Sequence, residues 1–196
     1  MKNIIIVFSL VFIFTMFFNN TAASQQNPLW DNESPFTIFL ARYYQVDPIV
    51  VISLGQRMRD PDDVSVAIYL AKAADRDPMG MLEPRLKNKN WMEISRSLTI
   101  DLAILFTPLT SNEKIPEAFR HAYGEYAKHF KNQDYSMILY DKEFRNLVQL
   151  KLVTDAFSKS PISVMTAVSQ GENYTDLILK ELPPSEKSEE PEWDGR

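Results

Sequence analysis

The side chains best suited to acid–base chemistry are two glutamates, Glu83 and Glu93. Small exported helical enzymes that cut cell-wall sugars can rest on one buried glutamate, so these two define an enzymatic reading. Retaining and inverting glycosidases generally need two placed carboxylates, and none is evident beside either residue. Glu93 also has a competing role: in Asn90-Trp91-Met92-Glu93 it can reach back to the Asn90 N–H as the acid of a capping box. His121 and His129 lie about two helical turns apart, whereas paired metal ligands on one helix favour i, i+4, and no cysteine completes a shell. Asp60, Asp62 and Asp63 lack the alternating spacing and central glycine of a calcium loop, and acids at a helix N-terminus have a sufficient electrostatic reason. With no Gly-x-Ser-x-Gly elbow, no phosphate-cradling loop and no Cys nucleophile, the chain offers no catalytic set, no cofactor site and no metal site.

The remaining candidates are aromatic. Trp91 and Tyr174 stand at matching places in two similar stretches, and Tyr123 lies on a helical apolar stripe with Phe119, Ala122, Tyr126, Ala127 and Phe130. Core packing is the first expectation for all of them, Tyr126 and Phe130 included. A concave face between stacked helical units, anchored by Trp, Tyr and Met, is the binding alternative for Trp91 and Tyr174.

These residues need helices to position them. Asp77-Pro78 combines a residue that caps free N–H groups with one that fits the first helical position. The same phrase occurs earlier as Asp47-Pro48 and later as Ser160-Pro161. In the register that lays Pro161 on Pro78, Asn173-Tyr174-Thr175-Asp176-Leu177 falls on Asn90-Trp91-Met92-Glu93-Ile94, which predicts a repeated supersecondary unit. Further starts are expected at Pro35, Asp60-Pro61 and Pro116, and Asp141 is expected to cap a long helix. Five glycines and few alternating β-branched runs argue against sheet, so the predicted class is all-α.

Residues 1–23 read as a secretory signal, with Lys2 ahead of a largely apolar run, Ile4 to Phe18, and small residues from Thr21 to Ser24. As a helix that run is too short to span a bilayer comfortably; a retained anchor is the secondary reading. Residues 24–34 form a polar leader, and residues 35–182 a single helical domain of two halves, 35–107 and 115–182, meeting at the loop 107–114. Residues 183–196 are acidic and poor in apolar side chains, a composition expected of a disordered tail. Net charge is −5, and an acidic exported protein is a poor candidate for nucleic acid or anionic lipid. The expected function is that of a non-enzymatic interaction module of the cell envelope, with an envelope protein as partner; a single-glutamate glycan-cleaving enzyme is the alternative. The sequence carries no signal of oligomeric state.

The order helix, Asp-Pro, helix, turn, Asn-Trp-x-Glu-Ile resembles a group of uncharacterised exported bacterial helical proteins. The likeness spans residues 39–100 and again the stretch from Ala122-Tyr123-Gly124 through Phe144-Arg145-Asn146-Leu147-Val148 to Leu177. That group carries Gly in the turn before the Asn; here Gly171 fits, while Asn88 stands at the corresponding place in the first stretch. The resemblance implies a helical fold and no particular activity.

Overall fold

Helix starts and stops set the architecture. The computed structural model describes residues 28–58, 60–110, 114–132 and 137–183. The signal expected at 1–23 and nearly all of the acidic tail lie outside these. Among the described residues there are nine α-helices and no strand. They are α1 (Pro35–Tyr44), α2 (Pro48–Met58), α3 (Pro61–Ala73), α4 (Leu82–Leu86), α5 (Trp91–Ser97), α6 (Glu117–Asn132), α7 (Asp141–Phe157), α8 (Pro161–Ser169) and α9 (Tyr174–Glu181). Two single 3-10 turns, Pro78–Met81 and Leu102–Leu105, complete the chain. The first of these means that the helix expected to open at Pro78 begins as a 3-10 turn and becomes α-helical only at Leu82. No described helix is long and apolar enough to cross a membrane.

Asp47, Asp60 and Asp77 start their elements as the sequence predicts, and Asp101, not expected as a start, does the same: each accepts the backbone N–H two residues on, at 2.8–3.0 Å. The ends share a device too. Gln45, Asp75, Asn88, Thr99 and Gly171 are left-handed, with φ of 53°, 52°, 60°, 57° and 103°. After each, the next N–H returns to a carbonyl one helical turn and a residue back, as Val46 to Ala41 and Arg76 to Ala71. Asn88 therefore does the work of Gly171 in the turn, because Asn tolerates the left-handed region better than most side chains.

Packing is centred on α3 and α7, which lie against each other. α1 and α2 pack on α3, α5 and the Leu102–Leu105 turn on α7, and α8 against both α6 and α7. α9 touches α1, α3 and α7, so its contacts cross the loop at 107–114. The core includes Leu40, Val51, Ile68, Trp91, Ile94, Phe144, Leu147 and Ile178, each at most 1% exposed.

Two expectations fail here. Trp30, assigned to a polar leader, is 2% exposed and belongs to the core. It lies edge-on to Phe36 and occupies the space over Gly55, where a Cβ would fall 2.1 Å from the indole. Only glycine leaves room for that ring, and the Thr37 hydroxyl anchors the leader by donating to the Leu29 carbonyl at 2.7 Å. Phe130, expected in the core, is 73% exposed. The buried part of the α6 stripe, Phe119, Ala122 and Tyr123, runs out at half-buried Tyr126, whose ring stacks on Phe106.

Candidate functional site

Neither acid singled out in the sequence has the setting of a catalytic acid. Glu83 is exposed and bound to Lys87, whose hydrogen bond and charge hold its carboxyl below the usual range. A general acid needs the opposite shift. Glu93 is exposed and accepts the Asn90 N–H at 2.8 Å while Asn90 accepts the Glu93 N–H at 2.8 Å, a complete capping box.

Trp91 and Tyr174 open α5 and α9, and both are buried, at 0% and 3% exposure. Trp91 donates its indole N–H to Asp63 Oδ1 at 2.7 Å; Tyr174 donates its hydroxyl to the Asn146 carbonyl at 3.1 Å. Each acceptor stands 28 residues before its donor. Tyr123 is buried as well and donates to the Thr107 carbonyl at 3.0 Å. Burial, foremost, keeps the hydroxyls of Tyr123 and Tyr174 protonated well beyond the usual phenol range.

Around Trp91 lies a charged cluster that no sequence motif announced. Arg85 grips Asp63 with Nε and Nη2 at 3.1 and 3.0 Å, and Nη1 reaches Asp141 Oδ2 at 2.7 Å. Its guanidinium also covers the Trp91 ring, 4.8 Å from the centroid. Burial opposes the charge on Arg85, but Asp63 and Asp141 outweigh it and bind its proton more tightly. The sequence predicts Asp141 as the cap of its own helix; instead its Oδ1 accepts the Trp91 backbone N–H at 2.7 Å, so it caps the start of α5. The start of α7 is served by Glu143, which accepts the Tyr140 N–H at 2.9 Å. Arg145 joins the cluster through Asp60 at 2.6 Å, with Asp63 3.8 Å away. Of the three neighbouring aspartates, then, only Asp60 caps α3 with its side chain. Asp60, Asp63, Arg85, Trp91, Asp141 and Arg145 are all committed to partners, the pattern of a structural tie between α3, α4, α5 and α7.

The accessible chemistry lies elsewhere, along α6. The segment 137–140 runs beside that helix: Ile138 donates its N–H to Glu125 Oε2 at 3.3 Å, and the Tyr140 ring stacks on His121 at 5.3 Å. Phe130, Ile138 and Tyr140 expose 73%, 58% and 66% of their surface. A recess of about 330 Å³ is lined by Arg96, Thr99, Ile100, Asp101, Leu102, His129 and Met137, the last two being the sequence neighbours of Phe130 and Ile138. His121 pairs with Glu143 at 2.8 Å rather than with a second histidine, and among the described residues no cluster of three His, Asp or Glu could hold a metal ion. No family model, curated protein or solved structure matches this chain.

Proposed function

We propose that the protein is a non-enzymatic, exported helical interaction module of the cell envelope, and that it docks a partner protein on the α6 face. The observation that carries this reading is the exposure of Phe130, Ile138 and Tyr140 on α6 and the segment beside it, with a recess lined in part by the adjoining His129 and Met137. Large aromatic and aliphatic side chains left in water along one helix and the segment beside it are costly unless covered, and a recess of that size accepts one anchoring side chain. Export rests on the charge and apolar pattern of residues 1–23. We further read 35–107 and 115–182 as two versions of one unit. The equal 28-residue spacing of the Trp91 and Tyr174 hydrogen bonds supports this. So do the left-handed pairs Asp75/Ser158 and Asn88/Gly171, which coincide in the register that lays Pro161 on Pro78.

Affinity capture from an envelope extract of the source cells tests the docking reading, with the tagged full chain and its Phe130→Glu/Ile138→Glu variant as baits. One recurrent stoichiometric protein, held by the parent and lost by an equally stable variant, is the expected result. Equal capture by both, recovery of glycan, or recovery of nothing sinks it. Intact mass of the protein recovered from cells reports export: a chain starting near Ala23 or Ser24 is expected, and one retaining Met1 argues against cleavage.

A further inference from the structure

Around the α6 face lie cations that no acid answers. Glu117, Glu125 and Glu143 are taken by Arg120, Lys128 and His121. Arg96, Lys131 and Lys142 are exposed and have no carboxylate partner among the described residues. Lys131 follows Phe130, and Lys142 stands two residues after Tyr140. Arg96 lines the recess with Met137 and donates from Nη2 to the Met137 carbonyl at 3.2 Å. Asp101 also lines it, its carboxylate held by the Ala103 N–H at 2.9 Å. The occupant that suits this face is a large apolar side chain with acids beside it.

Such a segment stands in the tail. Glu189-Glu190-Pro191-Glu192-Trp193-Asp194 sets four acids and no base around one tryptophan. A stretch so poor in apolar residues has no core of its own, so its indole can be covered only by another surface.

The tether is long enough. Pro183 is the last described residue, just past α9, and Glu181 at the end of α9 pairs with Lys159 at 2.8 Å, beside the start of α8. α8 packs against α6, so about 10 Å, one helix spacing, separates that departure from α6. Trp193 stands ten residues beyond Pro183. That length of extended chain reaches about 33 Å, more than the about 24 Å length of α6. Tethering also holds the indole at a local concentration on the order of millimolar, enough to fill a weak contact.

We propose that Trp193 docks in the recess beside Arg96 and Met137 of its own chain, with Glu192 and Asp194 toward Arg96 and Lys131, and that a partner of the α6 face displaces it. A guanidinium suits an indole face, and exposed ion pairs contribute little each, so the indole is the anchor and the charges orient it. The displacement rests on the docking reading above; the tail contact does not.

Acrylamide quenching of the full chain reads the contact, because Trp30 and Trp91 are buried and Trp193 is the third tryptophan. The difference from the Trp193→Phe protein isolates its emission. A blue-shifted component, quenched several-fold less than free N-acetyltryptophanamide, is expected at low micromolar protein. Glu192→Lys/Asp194→Lys should restore free quenching with melting unchanged, and Lys131→Glu should weaken the shielding. Free quenching in the parent, shielding that survives Glu192→Lys/Asp194→Lys, or shielding that grows with protein concentration, as for a tail on a second copy, would overturn the assignment. In the envelope capture, a Trp193→Ala bait should hold several-fold more of the partner than the parent does. Equal capture beside intact shielding overturns the displacement, whereas capture of no partner by either bait counts against the docking reading and leaves the tail contact standing.

Discussion

Trp91 and Tyr174 both open a short helix behind an asparagine cap, yet the groups that receive their hydrogen bonds differ in kind. Trp91 donates to a buried carboxylate, itself gripped by Arg85, which also holds Asp141 at the start of α7. Tyr174 donates to a neutral backbone carbonyl of α7. At the first place, then, a carboxylate, a guanidinium and an indole depend on one another; at the second, a phenol simply satisfies itself. The lesson is that one register can be kept while its chemistry is exchanged, and that the charged version is the one that ties α3, α4 and α5 to α7.

Truncation should separate them most. Trp91→Ala and Tyr174→Ala each remove a fully packed ring, at a cost of about 3–5 kcal/mol. Trp91→Ala is expected at the top of that range because it also strips Asp63 of a donor and Arg85 of the ring it covers. Equal urea midpoints for the two variants would erase the distinction, and an unchanged midpoint for either would take that residue out of the core.

Conservative replacements probe the hydrogen bonds alone. Trp91→Phe loses a bond to an ion, worth about 1.5–3 kcal/mol, along with some ring volume; Tyr174→Phe loses a neutral bond, worth about 0.5–1.5 kcal/mol. A larger loss for Tyr174→Phe would mean that the carboxylate around Trp91 is better solvated than its burial implies.

Asp62 sits between the two places, since its charge acts on Tyr174 while Asp60, Arg145 and Asp63 act on it. Burial, first, and then Asp60 lift its carboxyl from 3.8 to about 6, with Arg145 opposing and Asp63 adding. A raised acid binds its proton more tightly in the native state than in the unfolded one. Its contribution therefore worsens as pH climbs from about 4 to 6, reaching a cost of about 2–3 kcal/mol near pH 7. Asp62→Asn has no such titration. Its melting temperature should match the parent near pH 4, exceed it increasingly through pH 6, and hold a constant lead above pH 7. A lead that does not change with pH would show that Asp62 is ionised freely.

Much of the helical layout was legible because its signals are local. An Asp two residues before the N–H it caps, a Pro at a first helical position and Asn90 with Glu93 all act within one turn, and they act as read. The burial of Tyr123 followed from helical periodicity, and that of Trp91 and Tyr174 matches core packing, the first expectation for their like places behind an asparagine. The misreadings concern residues whose partners are far along the chain. Trp30 looked like leader because its place is made by the missing side chain at Gly55, on α2 with the whole of α1 between them. Phe130 fits the apolar stripe of α6, but the stripe is longer than the surface available to cover it.

The α6 face was likewise beyond the sequence, because it is made by what neighbouring elements fail to cover. Composition and spacing by themselves determined an all-helical chain, the places where most helices begin, and the absence of cysteine chemistry, since those depend on side-chain type and a few intervening bonds. Tertiary structure alone decided that Asp141 caps α5 instead of α7 and that Asp63 anchors a buried ion cluster. Those outcomes rest on which helices come within hydrogen-bond reach, and that is set by packing over the whole core.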